Sequence, residues 1–235
     1  FFWSLTSRPG SMTARALVAE KSRKAVSCST MAKLPRILAA LKARPLLSLL
    51  ISATLLPFLN ALIGLVIKDR IPFFMDSIFT AVAAAVFGPW QGIATALFTN
   101  VFQELILGFT GTNLPFAVCG VATALIVAGF VRADRYRSPL GSILCIALVT
   151  LANSLLGALV ATLVFGGGSR SNIDGIVAGF ALFTDTIFTA AFLARIPINF
   201  IDKSIAVIPA LLLARALAPA RTRSPTPGQG ASPPD

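Results

Sequence analysis

Between Pro45 and Leu217 the chain is a near-continuous succession of apolar runs, and this constrains its fold more than any other feature. Seven runs can be marked, at 45–67, 71–87, 91–108, 114–131, 139–165, 176–193 and 200–217, separated by brief polar, glycine or proline breaks. A membrane-crossing helix needs about 20 predominantly apolar residues, and most of these runs are close to that. Of the 235 residues 56% are hydrophobic and only 12% charged, about half the charge a soluble domain carries. The expected fold class is therefore all-α integral membrane.

Charge bias predicts how many runs cross. With the basic N-terminal end inside, the hairpin at 88–91, opened by "FGPW", and the "RADRYR" loop at 132–137 also fall inside, so Arg132, Arg135 and Arg137 obey the positive-inside tendency. Arg215, Arg221 and Arg223 fall inside too if the 176–193 run is a shielded or surface helix rather than a crossing. Six transmembrane helices, an extra short helix in the loop before the last and two cytoplasmic termini are thus expected. Asp185 would make the extra helix face a cavity. Trp90, at the hairpin, reads as an interfacial anchor.

The flanks differ from this core. Residues 1–44 carry nine Lys or Arg against one acid, Glu20, so most of the net charge of +11 lies outside the apolar region. Such a tail reads as anchoring to an anionic membrane surface, not as nucleic-acid binding, because no aromatic interleaving or recognition-helix pattern accompanies it. Met31 opens a short basic stretch followed by an apolar helix, which resembles a natural start, and residues 1–30 are expected to be upstream or poorly ordered sequence. Residues 218–235, rich in Pro, Gly, Ser and Thr, read as a disordered tail, and the "FGGGSRSNIDG" segment at 165–175 as an external loop.

Motifs of soluble catalysis are missing. The chain has no histidine, no Walker loop, no dinucleotide fingerprint and no CxxC, so no catalytic residue, metal site or cofactor is expected. Cys119 and Cys145 read as small hydrophobes within helices.

What stands out instead is a set of polar residues in expensive places: Asp76 early in the second run, Asn100, Gln103 and Glu104 late in the third, Asn113 opening the fourth, Asn153 mid-fifth, and Asn199, Asp202 and Lys203 at the start of the last. Groups of this kind must pair or face a polar cavity, so Asp76, Asn100, Gln103, Glu104, Asn113, Asn153, Asn199 and Lys203 are candidate substrate contacts. Each has a structural alternative. Asp76 and Glu104 read equally as interfacial charges, Asn100 and Asn153 as interhelical hydrogen-bonding residues, and Asp202 with Lys203 as a local ion pair. Phe73, Phe74, Phe98 and Phe116 are the candidate aromatic walls.

The order of these features, in "IPFFMDSIFTAVAAAVFGPWQGIATALFTNVF", "GTNLPFAVCGVATALIVAGF" and "IPINFIDKSIAVIPALLLARAL", resembles the substrate-binding S components of energy-coupling-factor (ECF) transporters over residues 45–217, with the riboflavin-type branch closest in layout. The resemblance implies high-affinity capture of a vitamin or related micronutrient in the bacterial cytoplasmic membrane. It also implies partnership with a transmembrane coupling (T) subunit and two cytoplasmic ATPases, which fits the missing nucleotide motif. Ser48, Ser52 and Ala53 would then be the small-residue face that docks the coupling subunit. Where riboflavin-type members carry charges in the third helix, this chain has Ala96 and Thr99. A stand-alone secondary transporter is the main alternative function, although no internal repeat supports it.

Overall fold

The computed structural model describes residues 36–68, 70–71, 73–169 and 173–218. The expectations about Met31, residues 1–30 and the tail from 219 onward lie outside the described residues. Within the basic segment, residues 36–42 are helical.

The described chain is an all-helical bundle. Its helices are α1 (Pro45–Ala53), α2 (Leu55–Lys68), α3 (Ile78–Val86), α4 (Pro89–Ile106), α5 (Ala117–Arg132), α6 (Pro139–Leu163), α7 (Asp174–Ala181) and α8 (Ile187–Leu217), with 3₁₀ turns at Leu114–Phe116 and Arg135–Arg137. Among the described residues four stretches are long and apolar enough, by length and composition, to cross a membrane: Pro45–Ile67, Leu114–Arg132, Pro139–Leu163 and Ile187–Leu217. Large side chains such as Leu97, Leu148, Leu155, Ile208 and Leu212 point outward, while the interior is lined by alanines and polar groups. That inversion suits a lipid surround, where small residues let helices pack closely. Gly92 illustrates it: a Cβ there would lie 2.6 Å from that of Ala84 and 2.9 Å from that of Ala124.

Three boundaries differ from the sequence expectation. The 71–87 run is not one continuous helix: residues 73–77 are not helical, and α3 has nine residues, about 13 Å at 1.5 Å each. Side chains from elsewhere take the amides that would have extended the helix. Asp202 Oδ1 accepts from the Met75 amide at 2.7 Å and Asn60 Oδ1 from the Phe79 amide at 2.9 Å. Met75 itself has φ of 45°.

The second correction concerns the 176–193 piece. The extra helix before the last exists, but it ends at Ala181, and the last helix starts at Ile187 and runs through "ARIPIN" for 31 residues. Pro197 and Pro209 lie inside it, and the buried positions keep one face past Pro197, from Ala190, Ala191, Ala194 and Arg195 to Ile198, Asn199, Asp202 and Lys203. The true break has a cap: Thr186 Oγ1 accepts from the Thr189 amide at 3.1 Å. Asp185 is consequently an exposed residue of that break and faces no cavity. Thirdly, the first crossing is interrupted at Thr54.

The bundle has two unlike ends. At one lie the hairpin, where Gly88 adopts φ of 124° before Pro89, and the 132–137 loop. The Arg215 guanidinium donates to the Tyr136 carbonyl at 2.6 and 2.9 Å and to Ser142 Oγ at 2.6 Å. Gln91 Nε2 reaches Ser48 Oγ at 3.5 Å, which brings the start of α1 to this end as well. Arg44, Arg132, Arg135, Arg137 and Arg215 therefore share one end. Trp90, 74% exposed there, stands clear of the interior as an interfacial anchor would.

Candidate functional site

The opposite end of the bundle contains a cavity. Its walls are the C-terminal halves of α2 and α6, α4 from Ala96 to Gln103, the start of α5, α8 from Arg195 to Lys203, the 73–77 segment with Thr80 of α3, and residues 112–113, 116 and 169. It encloses about 110 Å³ of water-accessible space. That is well above the roughly 10–15 Å³ needed to admit one water, and leaves room for several waters or a small ligand.

Seven of the eight polar candidates line it: Asp76, Asn100, Gln103, Asn113, Asn153, Asn199 and Lys203. Helical spacing brings them together, since Asn199 and Lys203 share one face of α8 and Asn100 and Gln103 one face of α4. Much of their hydrogen-bonding capacity is committed within the protein. Asn153 Nδ2 donates to Thr123 Oγ1 and the Val149 carbonyl at 2.9 Å, Asn199 Nδ2 to Ser154 Oγ at 3.0 Å, and Asn100 Nδ2 to the Ala96 carbonyl at 3.0 Å. Among the described residues the amide oxygen of each has no hydrogen-bond partner. The structural and cavity readings of these residues thus hold together.

Lys203 is 3% exposed, yet its charge is matched. Its Nζ lies 2.6 Å from Asp202 Oδ2 and donates to Ser77 Oγ at 2.7 Å, so the expected ion pair is present and also fastens the 73–77 segment. That segment carries Phe73, Phe74 and Asp76 to the cavity, with Gln103 beside Asp76. Gly64 makes room for them: a Cβ there would lie 3.0 Å from Gln103 Nε2 and 3.2 Å from Asp76 Cβ.

Glu104 does not line the cavity. Its carboxylate, on a residue 1% exposed, accepts from Gly111 N at 2.8 Å, from Thr110 Oγ1 at 3.3 Å and from Asn113 N. It neither forms the expected interfacial salt bridge nor meets the cavity, and instead shapes the loop that delivers Thr112 and Asn113.

Among the aromatic candidates Phe73, Phe74 and Phe116 line the cavity, and Phe116 stacks on Phe165 with ring centroids 5.8 Å apart. Phe98 is corrected: it is 42% exposed on the outer face of α4, two residues and about 200° round from Asn100. The expected docking face is corrected as well. Ser48 and Ser52 are buried against α4, where the Ser52 carbonyl accepts from Thr95 Oγ1 at 2.9 Å, and only Ala53 retains partial exposure.

Sequence reasoning missed two important residues. Arg195, 1% exposed, lines the cavity. It sat in the stretch taken for a break between helices, although it shares a face with Asn199 four residues later. Asn60, 0% exposed, ties α2 to Thr80 of α3 at 3.1 Å and Thr99 of α4 at 3.3 Å; a lone asparagine in an apolar run was the available signal. Among the described residues no group of three or more His, Cys, Asp or Glu is placed to hold a metal ion.

The family model described as "ECF transporter, substrate-specific component" matches residues 46–214, well over half of the chain. No curated protein and no solved structure matches it.

Proposed function

The chain belongs to the family of ECF transporter substrate-specific components, and on that premise we propose that the end cavity is where it captures a vitamin-like micronutrient. Family membership makes it a multi-pass membrane subunit of an importer and not an enzyme, and it implies a transmembrane coupling subunit and ATPase partners.

The observation that carries the capture reading is a cavity at the non-basic end, walled by Phe73, Phe74 and Phe116 and set with Asp76, Asn100, Gln103, Asn113, Asn153, Asn199 and Lys203. Apolar rings enclose a planar compound, and a few fixed polar groups select its orientation. Buried polar groups discriminate strongly, because a ligand lacking the matching partner leaves them unsatisfied. Glu104 acts at one remove by holding the loop that bears Asn113.

Six crossings are read as α1 with α2, residues 73–77 with α3, α4, α5 with its preceding turn, α6 and α8. The basic end then faces the cytoplasm and the cavity opens toward the outside. The order of features along the sequence favours the riboflavin-type branch. Docking of the coupling subunit falls to the outer surface of α1, where Leu46, Leu49 and Leu50 are exposed, with Ala53 at its edge.

The test is reconstitution. Proteoliposomes containing the chain with a coupling subunit and ATPases should take up the compound only with ATP inside the energised compartment, while the chain alone should bind it stoichiometrically without accumulating it. Accumulation by the chain alone, driven by an ion gradient, would contradict the proposal and favour a secondary transporter.

A further inference from the structure

The geometry points to Arg195 as an anion-recognising residue, and hence to a substrate that carries a carboxylate or an equivalent pair of acidic oxygens. This rests on the capture reading above and specifies its chemistry.

An arginine is charged under all ordinary conditions and presents five N–H donors in a rigid fork. Placing one at 1% exposure within a membrane bundle is costly unless something answers the charge. The Asp174 carboxylate answers part of the charge at one remove, through Ser169, and only part of the fork is directly bonded. Nη1 donates to the Ala191 carbonyl of its own helix at 3.0 Å, and Nη2 makes a long 3.3 Å contact with Ser169 Oγ. Nε is buried with no hydrogen-bond partner. Nε and Nη2 form the side edge of a guanidinium, the edge that engages a carboxylate through two parallel hydrogen bonds. On Arg195 one member of that edge is unused and the other weakly held.

The space beside that edge is kept open. Gly157, itself a lining residue, lies against the Arg195 side chain, and a Cβ there would approach Cδ to 3.2 Å and Nε to 3.3 Å. Ser169 is held in turn by Asp174, whose Oδ1 accepts from Ser169 N at 2.9 Å and Oγ at 2.8 Å. The fork is therefore positioned from behind by Ser169 and Asp174 and left open in front.

The other charges leave this role to Arg195. Lys203 is matched by Asp202 within the protein, and Asp76 belongs to the wall that also contains Gly64 and Gln103. The cavity thus presents a carboxylate on one wall and an incompletely bonded guanidinium on another. An organic acid whose remaining part carries hydrogen-bond donors satisfies both, whereas a neutral ring compound leaves Nε orphaned.

The experiment uses the full chain in detergent, offered a small-molecule yeast extract separated by anion exchange at pH 8 into retained and unretained fractions. Bound compounds are released by denaturation and identified by mass spectrometry. The wild type should capture an acid from the retained fraction. Arg195→Gln should bind that acid about a hundredfold more weakly, and Arg195→Lys should recover only part of the loss because it restores charge without the fork. Gly157→Ala keeps the guanidinium but crowds its open edge, and should weaken binding about tenfold. It carries the test should Arg195→Gln fail to elute as a folded species. Capture of a compound without an acidic group, or undiminished binding by Arg195→Gln or Gly157→Ala, overturns the inference while leaving capture intact. A folded wild type that captures nothing from either fraction overturns the capture reading and this inference with it.

Discussion

Lys203 Nζ donates to Ser77 Oγ at 2.7 Å, joining α8 to the segment that brings Phe73, Phe74 and Asp76 to the cavity. The partners are 126 residues apart, and the neighbouring Asp202 makes a parallel bond to the Met75 amide across 127. A buried ion pair is thus used to hold an interrupted helix in place.

Removing one partner should expose its structural weight. Lys203→Met leaves Asp202 buried without its counter-charge and should cost about 3–5 kcal/mol of stability. Adding Asp202→Asn, which retains an acceptor for the Met75 amide, should recover a large part of it. Thermal unfolding in detergent measures both, and strictly additive losses would show that the two charges are not coupled.

Glu104→Gln replaces an acceptor-only group by one that accepts through a single atom, so the amides of Gly111 and Asn113 can no longer both be served. Hydrogen bonds to a charged group contribute about 1.5–3 kcal/mol each. Substrate release should accelerate about tenfold or more, with faster hydrogen exchange at 108–113. Unchanged exchange there would contradict the role given to Glu104.

Gly64→Ala should weaken substrate binding about tenfold, with modest loss of stability, because the new methyl group displaces Gln103 and Asp76. Calorimetric titration distinguishes this from a purely structural defect. A fall in thermal stability with unaltered affinity would separate these side chains from the ligand.

Cys119 lines the cavity and is partly accessible, whereas Cys145 is buried. In a Cys28→Ala, Cys145→Ala background, saturating substrate should slow maleimide labelling of Cys119 several-fold. Equal rates with and without substrate would place the ligand elsewhere.

The chain's architecture was legible where physical cost leaves a mark in sequence. Asp76, Asn100, Gln103, Asn153, Asn199 and Lys203 stand out because hydrocarbon tolerates such groups only when they are paired or face a cavity. Side-chain direction was less legible. Phe98 and Ser48 belong to the right helices, but the face each presents depends on what packs against it. Boundaries failed where distant side chains override local pattern, as when Asp202 and Asn60 capture amides that would have extended α3. Arg195 escaped notice because Pro197, two residues on, resembles a helix stop, while the buried face running through it emerges only over the whole of α8.

The central claim is that this cavity captures a specific small molecule, and the most direct measurement is mass spectrometry of whatever co-purifies with the detergent-solubilised chain. The parent protein should release one vitamin-like compound in near-stoichiometric amount, and an Asp76→Ala, Asn100→Ala double variant of equal monodispersity should release little or none. A compound retained equally by both proteins, or a well-folded parent that carries none and binds no member of a vitamin panel, would contradict the account.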